Sequence, residues 1–321
     1  MRILVTGGAG FIGSNTCDAL LEEKHQVVCL DNFLTGRREN IVKALQNPNF
    51  TLIEGDIRSF ETCETAVKDC DLVLHLAALG SVPRSINDPI TTNDININGF
   101  LNIITATRNA GIKRFVFAAS SSTYGDSKEL PKVEDRIGKP MSPYAITKYV
   151  GELYADVFAK VYGIEFIGLR YFNVFGKRQD PEGAYAAVIP KFIQSLLKQE
   201  APVINGDGSF SRDFTYIDNV VKINLQALFT SQKQAINQIY NVACGEATTL
   251  NQLYDYLRTA LGVDYPAVLE IEPIYKEVRS GDIPHSLASI DKAKSLLSYD
   301  PKINIQEGIT RTVAWYSKNT L

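Results

Sequence analysis

The first half of the chain alternates short apolar runs with longer stretches of amphipathic spacing. The runs are Ile3–Val5, Val27–Leu30, Thr51–Ile53, Leu72–Leu76, Phe115–Ala118 and Phe166–Leu169. Runs this short and continuous read as strands buried on both faces. Between them, Phe11–Glu23, Thr92–Asn109 and Tyr144–Tyr162 carry apolar residues at helical spacing. Strands separated by helices need crossover connections, and so form a parallel sheet. The pattern predicts a doubly wound α/β sheet of Rossmann type, with a ligand at the carboxyl ends of its strands.

The texture changes after Arg170. Gly, Pro and Asp become denser around Gly176–Gly183 and Asn205–Gly208, and the helical patterns at Ala186–Lys198 and Leu250–Leu261 are spaced by loops and short strands. This reads as a smaller, mixed α/β region covering the ligand end of the sheet. A length of 321 residues matches about two domains. The expected division is a Rossmann domain over 1–172, joined by 213–246, and a second domain over 173–212 and 247–321. With no internal repeat or low-complexity linker, the two should pack tightly.

Composition narrows the function classes. A net charge of −3 leaves no electrostatic footprint for nucleic acid. Five cysteines without a C-x-x-C argue against a disulfide framework and a zinc site, and Cys17 and Cys29 read as small buried hydrophobes. The three histidines, His25, His75 and His285, are too scattered to pair as ligands, so no metal is expected. No run of 18 apolar residues occurs, and Met1 leads straight into a strand with no basic leader, so no membrane span and a cytoplasmic location are expected.

Two segments carry chemistry. In Thr6-Gly7-Gly8-Ala9-Gly10-Phe11-Ile12-Gly13, Gly7, Gly10 and Gly13 recur every third residue between the first strand and the first helix. Glycine permits the tight turn and lets backbone N–H groups approach a pyrophosphate at the helix N-terminus. The last glycine allows close helix–sheet packing. Asp31 ends the second strand, where a carboxylate binds both ribose hydroxyls of NAD and repels a 2′-phosphate. Arg37 and Arg38 follow and offer charge for such a phosphate, which keeps NADP as the minor alternative. Asp56, after the third strand, reads either as a cap on the adenine amine or as a solvated turn residue.

The second segment is Ser142-Pro143-Tyr144-Ala145-Ile146-Thr147-Lys148. Ser142 suits an N-cap and Pro143 the first helical position. Tyr144 and Lys148, four apart, project from one face. A cation beside a phenol lowers its pKa, and the helix N-terminus adds to this. A tyrosinate so poised takes a proton from an alcohol while a nicotinamide takes the hydride.

With these segments in place, the chain resembles the extended short-chain dehydrogenase/reductase family, and within it the nucleotide-sugar epimerases. The carriers are Thr6–Gly13, His75-Leu76-Ala77-Ala78, Asn96-Ile97-Asn98-Gly99, Ser120-Ser121-Ser122-Thr123-Tyr124-Gly125, Tyr144 with Lys148, Leu169-Arg170-Tyr171-Phe172-Asn173 and Gly206–Phe214. The resemblance implies bound NAD, a UDP-sugar domain at the carboxyl terminus and a homodimer through the helix carrying Tyr144 and its predecessor, where Val150, Leu153, Val157 and Val161 fit a shared face. It implies Tyr144 as base, Lys148 on the nicotinamide ribose, Ser120 on the 4-hydroxyl, and Ser121 and Ser122 in the catalytic turn. It implies a cofactor shell of Gly7, Gly10, Phe11, Ile12, Gly13, Asp31, Asn32, Asp56, Ile57, Leu76, Ala77, Ala78 and Tyr171, with Asn96 in a relay near Lys148. Asn173, Ala187, Val188, Arg212, Arg279 and Asp282 become the contacts to sugar, diphosphate and ribose.

The reaction type follows from the serine turn. Related dehydratases carry an Asp-Glu pair there and decarboxylases a Glu; Ser121 and Ser122 offer no carboxyl, which leaves hydride out and hydride back. The run Gly176–Pro190 resembles the subgroup acting on UDP-N-acetylhexosamines and their uronic acids. Ser286 falls where glucose-restricted epimerases carry a bulky Tyr, and Gly80 where they carry a Lys; both enlarge the pocket near C2. The expectation is C4 epimerisation of UDP-GlcNAc to UDP-GalNAc. The alternatives are a uronate 4-epimerase with Arg84 or Arg178 near C6, a UDP-glucose 4-epimerase, and a non-catalytic NAD sensor on the same fold.

Overall fold

The structure is a computed structural model describing residues 1–181, 187–278 and 283–319. Its strands are β1 (Arg2–Thr6), β2 (Gln26–Asp31), β3 (Phe50–Glu54), β4 (Leu72–His75), β5 (Arg114–Ser120), β6 (Glu165–Tyr171), β7 (Val174–Phe175), β8 (Val203–Asn205), β9 (Ser211–Arg212), β10 (Thr215–Tyr216), β11 (Gln238–Val242), β12 (Thr248–Thr249) and β13 (Ile274–Lys276). Its α-helices are α1 (Phe11–Glu22), α2 (Phe60–Val67), α3 (Val82–Asn87), α4 (Pro89–Asn93), α5 (Gly99–Asn109), α6 (Pro143–Tyr162), α7 (Val188–Leu197), α8 (Ile217–Phe229), α9 (Leu250–Gly262), α10 (Asp291–Leu297) and α11 (Ile305–Asn319).

Seven strands form one parallel sheet in the order β11-β6-β5-β4-β1-β2-β3. The six apolar runs became its first six strands, because a strand covered on both faces has no polar side to alternate with. One face packs Cys17, Leu20, Val116, Ile167 and Ala227 together; the other packs Ala66, Ile103, Phe115 and Phe158. Each such buried aliphatic or aromatic side chain contributes about 1.5–3 kcal/mol. The chain reverses its winding between β1 and β4, and a crevice opens there at the carboxyl ends of the strands. The seventh strand, β11, arrives after an excursion through α7 and α8 and pairs with β6.

The other strands form two-stranded ribbons, β10 with β7, β12 with β9 and β13 with β8. A further extended segment lies beside them. Ser211 bridges His285, and Lys132 bridges Ala288, so residues 284–289 run between β9 and the segment that precedes α6.

The expected single helix over Thr92–Asn109 is interrupted. α4 and α5 flank a π-helical turn over Asp94–Asn98. The wider turn seats the Asn96 side chain in the interior, 6% exposed, where its amide is fully engaged. A π-turn often marks such a functional spot, and hydrophobic spacing does not reveal it.

Candidate active site

The crevice holds a cavity of about 540 Å³. Gly7, Gly10, Phe11, Ile12 and Gly13 line one wall, Asp31 and Asn32 one end, Ser120, Tyr144 and Lys148 the other.

The glycine turn is closed by backbone contact. A Cβ on Gly13 would sit 2.1 Å from the Gly7 carbonyl oxygen. Gly7 itself has φ +69°, and a Cβ there would lie 2.8 Å from the Ala77 nitrogen. So β1 and β4 end against each other through glycine alone. The N-cap of α1 is Gly10, and no side chain caps the first turn. An uncapped helix N-terminus facing a cavity suits a diphosphate. Asp31 accepts from the Ala9 and Phe33 amides at 2.9 and 2.8 Å, and burial pushes its carboxyl up. The dinucleotide's adenosine end would lie here, and these residues fit it.

Arg37 and Arg38, which the sequence offered to a 2′-phosphate, each have a carboxylate partner in an exposed ion pair. Arg37 pairs with Asp180 at 2.8 Å and Arg38 with Glu54 at 2.5 Å, while Arg38 also covers the Phe33 ring. Both partners are distant in sequence. Asp56 lies outside the cavity lining, held down to about 2 by the Arg58 guanidinium, and it accepts from Asn32 at 2.8 Å. Ile57, Leu76, Ala77, Ala78 and Tyr171 do line the cavity.

At the other end, Ser142 caps α6 by accepting from the Ala145 amide at 3.1 Å, with Pro143 in the first turn. Such a cap contributes about 1 kcal/mol. Gly163 ends the helix in the left-handed conformation, φ 70°. Lys148 donates to the Ala118 carbonyl at 2.9 Å. A relay joins the loop after β4 to the helix start. Asn96 accepts from the Leu79 amide at 2.8 Å and donates to Thr147 at 3.1 Å, and Thr147 donates to the Tyr144 carbonyl at 2.8 Å.

Ser122 does not line the cavity. Its amide and hydroxyl both point at the Ser120 oxygen, at 3.2 and 2.9 Å. That leaves the Ser120 proton free to donate elsewhere. Ser121 lines the cavity.

The phenol of Tyr144 departs from expectation. Burial pushes it up, and only a hydrogen bond with Ser120 pulls it back. The Lys148 nitrogen lies 6.0 Å from the ring centroid, and burial drives its own pKa down to about 8. In the chain alone, desolvation decides the direction. His75, hydrogen-bonded to the Thr6 hydroxyl at 2.7 Å, is driven by burial down to about 3 and is a neutral structural imidazole.

On the sugar side the sequence-predicted residues are less gathered. Asn173 and Gly80 line the cavity. Ala187, Val188, Arg212 and Ser286 do not, and Arg279 and Asp282 lie outside the described residues. Ser286 donates its amide to the Ser211 carbonyl at 3.1 Å, and Arg212 donates to the carbonyls of Ser211 and Pro284. Sequence reasoning missed Leu34, Thr35, Leu79, Ala118, Ala119 and Val174, which also line the cavity. The two alanines could have been found, since small residues at a strand's carboxyl end leave room for a ligand.

A model of the NAD dependent epimerase/dehydratase family matches residues 3–243. A Methanocaldococcus jannaschii protein with a provisional UDP-glucose 4-epimerase name is 41% identical over 99% of both chains. The crystal structure of a Thermotoga maritima UDP-glucose 4-epimerase with UDP-glucose is 37% identical, with a TM-score of 0.92 over 100% of both chains. A Methanobrevibacter ruminantium UDP-N-acetylglucosamine 4-epimerase, in complex with UDP-N-acetylmuramic acid, is 39% identical, with a TM-score of 0.92 over 99% of this chain and 98% of that one. A Thermodesulfobacterium geofontis UDP-glucuronate 4-epimerase is 33% identical over 98% of this chain and 96% of its own.

Proposed function

The chain belongs to the NAD-dependent epimerase/dehydratase family and is a UDP-sugar 4-epimerase, an isomerase; from that premise we propose that its substrate is a UDP-N-acetylhexosamine, interconverted between UDP-GlcNAc and UDP-GalNAc. The observation that carries the choice is Gly80. It lines the cavity, and a Cβ built on it meets nothing within 4 Å, so this wall is open; the resemblance puts that opening near C2, where an acetamido group would lie. The Methanobrevibacter relative favours the same reading. The uronate alternative needs a cation at C6. Arg178 is spent on Asp18 at 2.7 Å, and neither it nor Arg84 lines the cavity.

In the proposed mechanism Gly7, Gly10 and Gly13 hold the NAD diphosphate with the N-terminus of α1, and Asp31 takes the adenosine ribose. Lys148 orients the nicotinamide ribose. NAD, when bound, supplies a reversible hydride acceptor for C4 and positive charge on its oxidised ring. With the charge of the bound NAD ring and the Lys148 ammonium beside it, the Tyr144 phenol would ionise; the tyrosinate then removes the C4 hydroxyl proton, and Ser120 donates a hydrogen bond to the same oxygen. Proton transfer of this kind contributes about 10²–10⁴-fold. The 4-keto sugar turns about its diphosphate to present its other face for the hydride's return to C4, and Tyr144 gives the proton back to the C4 oxygen. The UDP anchor supplies the binding energy because the sugar must stay free to turn. The substrate contacts come from Asn173 and, by resemblance, Ala187, Val188, Arg212 and Ser286.

The protein is further proposed to act as a homodimer through α6. Leu153, Val157 and Val161, with Ile146 where the sequence suggested the half-buried Val150, form a stripe at helical spacing that is 49–64% exposed. Light scattering behind gel filtration at micromolar concentration checks this.

The test of the substrate is direct. Purified protein without added NAD is incubated separately with UDP-GlcNAc, UDP-glucose and UDP-GlcNAcA, and the products are resolved by chromatography. UDP-GalNAc formed faster than UDP-galactose is the expected result. Turnover of the uronic acid alone moves the substrate to the first alternative, and faster turnover of UDP-glucose moves it to the second.

A further inference from the structure

Lys148 has a charged neighbour that the chemistry above leaves unused. Glu152 lies four residues further along α6, on the same face, and is 6% exposed. The register of β5 and β6 sets Arg170 opposite Ala119, beside the Ala118 carbonyl that holds the Lys148 ammonium. Lys148 and Glu152 therefore sit over adjacent strands, one turn apart.

Glu152 is clamped. Arg170 Nε donates to its Oε1 at 2.8 Å and Nη2 to its Oε2 at 2.7 Å. The third arm of the guanidinium, Nη1, donates to the Glu134 carbonyl at 2.9 Å, and the group lies 4.9 Å over the Tyr124 ring. This is a two-point fork in a site where both partners are almost sealed from water, 3% and 6% exposed. A buried pair of this kind does not recommend itself for stability, since an apolar pair of equal volume serves as well. Its placement one turn from Lys148 gives it another use.

We propose that Glu152 is a positioning residue for the C4 chemistry: its carboxylate, clamped by Arg170, keeps the Lys148 ammonium charged beside Tyr144. The proposal rests on the roles given above to Lys148 and Tyr144. Around Lys148, Ser120 on β5, Tyr171 at the end of β6 and Tyr144 on its own helix line the same cavity, and the His75 ring on β4 feels the Lys148 charge. His75 is neutral, driven down to about 3 by burial, and burial pushes the Tyr171 and Tyr144 phenols up, so near neutral pH none of them carries charge. Arg170 stands beyond Glu152. Burial lowers Lys148 to about 8, and Glu152 is the group that opposes it. Without that carboxylate the ammonium loses its proton nearer neutrality.

The test uses the NAD-loaded protein and Glu152→Gln, which keeps the shape and removes the charge. The alkaline limb of kcat should move toward acid by about one pH unit, with kcat at pH 6 within about twofold of wild type and KM unchanged. Glu152→Asp restores the charge and should bring the limb back. A merely structural Glu152 predicts a lower Tm with the limb unmoved, and that result overturns the proposal. If Glu152→Gln does not fold, the double variant Glu152→Met with Arg170→Met removes the pair without stranding a charge. Its limb must also move toward acid, and a folded double variant with an unmoved limb overturns the proposal equally. Titration of Lys148 by the ¹³C resonance of its methylated amine, assigned by its loss in Lys148→Arg, needs no sugar. A protein that epimerises none of the three sugars but shows this shift would sink the substrate reading and leave Glu152's role standing.

Discussion

The two ends of the cavity are built in opposite ways. The dinucleotide end is one continuous turn, Thr6–Gly13, closed on the loop after β4 so tightly that no Cβ fits at Gly7 or Gly13. The sugar end is assembled from segments far apart in sequence. Of its lining, Asn173 donates to the Asp213 carbonyl, and outside the lining the buried Asp213 carboxyl gathers the amides of Cys244, Gly245 and Ala288. Gly80 there faces open space. A common cofactor needs one fixed cradle; a sugar that must turn, in a pocket tuned to its substituents, needs walls that can be changed one at a time.

The sharpest break falls where the ends meet. Tyr144→Phe removes the phenol oxygen, the proton acceptor and partner of Ser120, so kcat should fall by on the order of 10³-fold while KM and copurified NAD stay near wild type. Loss of NAD together with activity would mean that Tyr144 serves the cradle and not the chemistry.

The next break tests the cradle against the open wall. Gly13→Ala puts a methyl 2.1 Å from a backbone oxygen that cannot retreat, whereas Gly80→Ala puts one where nothing lies within 4 Å. The first should cost about 3 kcal/mol, lower Tm by several degrees and strip NAD from the purified protein. The second should leave Tm and NAD content unchanged. Calorimetry and the absorbance of released nucleotide decide it, and equal effects at both sites would end the contrast.

Two buried titratable groups outside the cavity lining, His75 and Asp213, shift with opposite signs. His75 folds neutral, lowered by burial to about 3, so its contribution is full above the unfolded value near 6.5 and lost as pH falls toward 3. For Asp213 burial outweighs the three amides and raises it to about 7. Its contribution is full below the unfolded value near 4 and lost as pH rises toward 7. Between about pH 4 and 6.5 the two slopes oppose, each spanning roughly 2–3 kcal/mol. His75→Gln should therefore leave a stability that falls with rising pH in that window, and Asp213→Asn one that rises. Urea midpoints at pH 4.5 and 6.5 measure both, and parallel curves in the two variants would show that neither group titrates as described.

Legibility follows the same divide. The apolar runs predicted the six strands to within two residues at either end because burial on both faces leaves no other composition. Ser142 and Pro143 start α6 by local chemistry alone. What the sequence did not carry depends on neighbours distant in the chain. The π-turn at Asp94–Asn98 has the apolar spacing of an ordinary helix, and only Leu79 and Thr147 show why Asn96 needs it. Arg37 and Arg38 looked unpartnered until the fold brought Asp180 and Glu54 to them. The Tyr144 phenol looked depressed by Lys148, but the burial that raises it is a tertiary fact. Ser122 looked like a member of the reacting group and turns out to aim at Ser120.

The smallest expected effect bears on the wall most weakly tied to the cavity. Ser286 is held by the Ser211 carbonyl through its own amide, so its side chain is free to be exchanged without disturbing the backbone. The segment is bridged on both sides, His285 to Ser211 and Ala288 to Lys132. If this segment borders the acetamido group, Ser286→Tyr narrows the pocket at C2 and leaves the dinucleotide end untouched. The expected outcome is a tenfold or so fall in kcat/KM for UDP-GlcNAc relative to UDP-glucose, about 1.4 kcal/mol of discrimination, with Tm and bound NAD unchanged. Competition between the two sugars in one reaction reads the ratio directly. An unmoved ratio removes Ser286 from the specificity wall and leaves the opening at Gly80 to account for the preference, which Gly80→Lys then tests on the same assay.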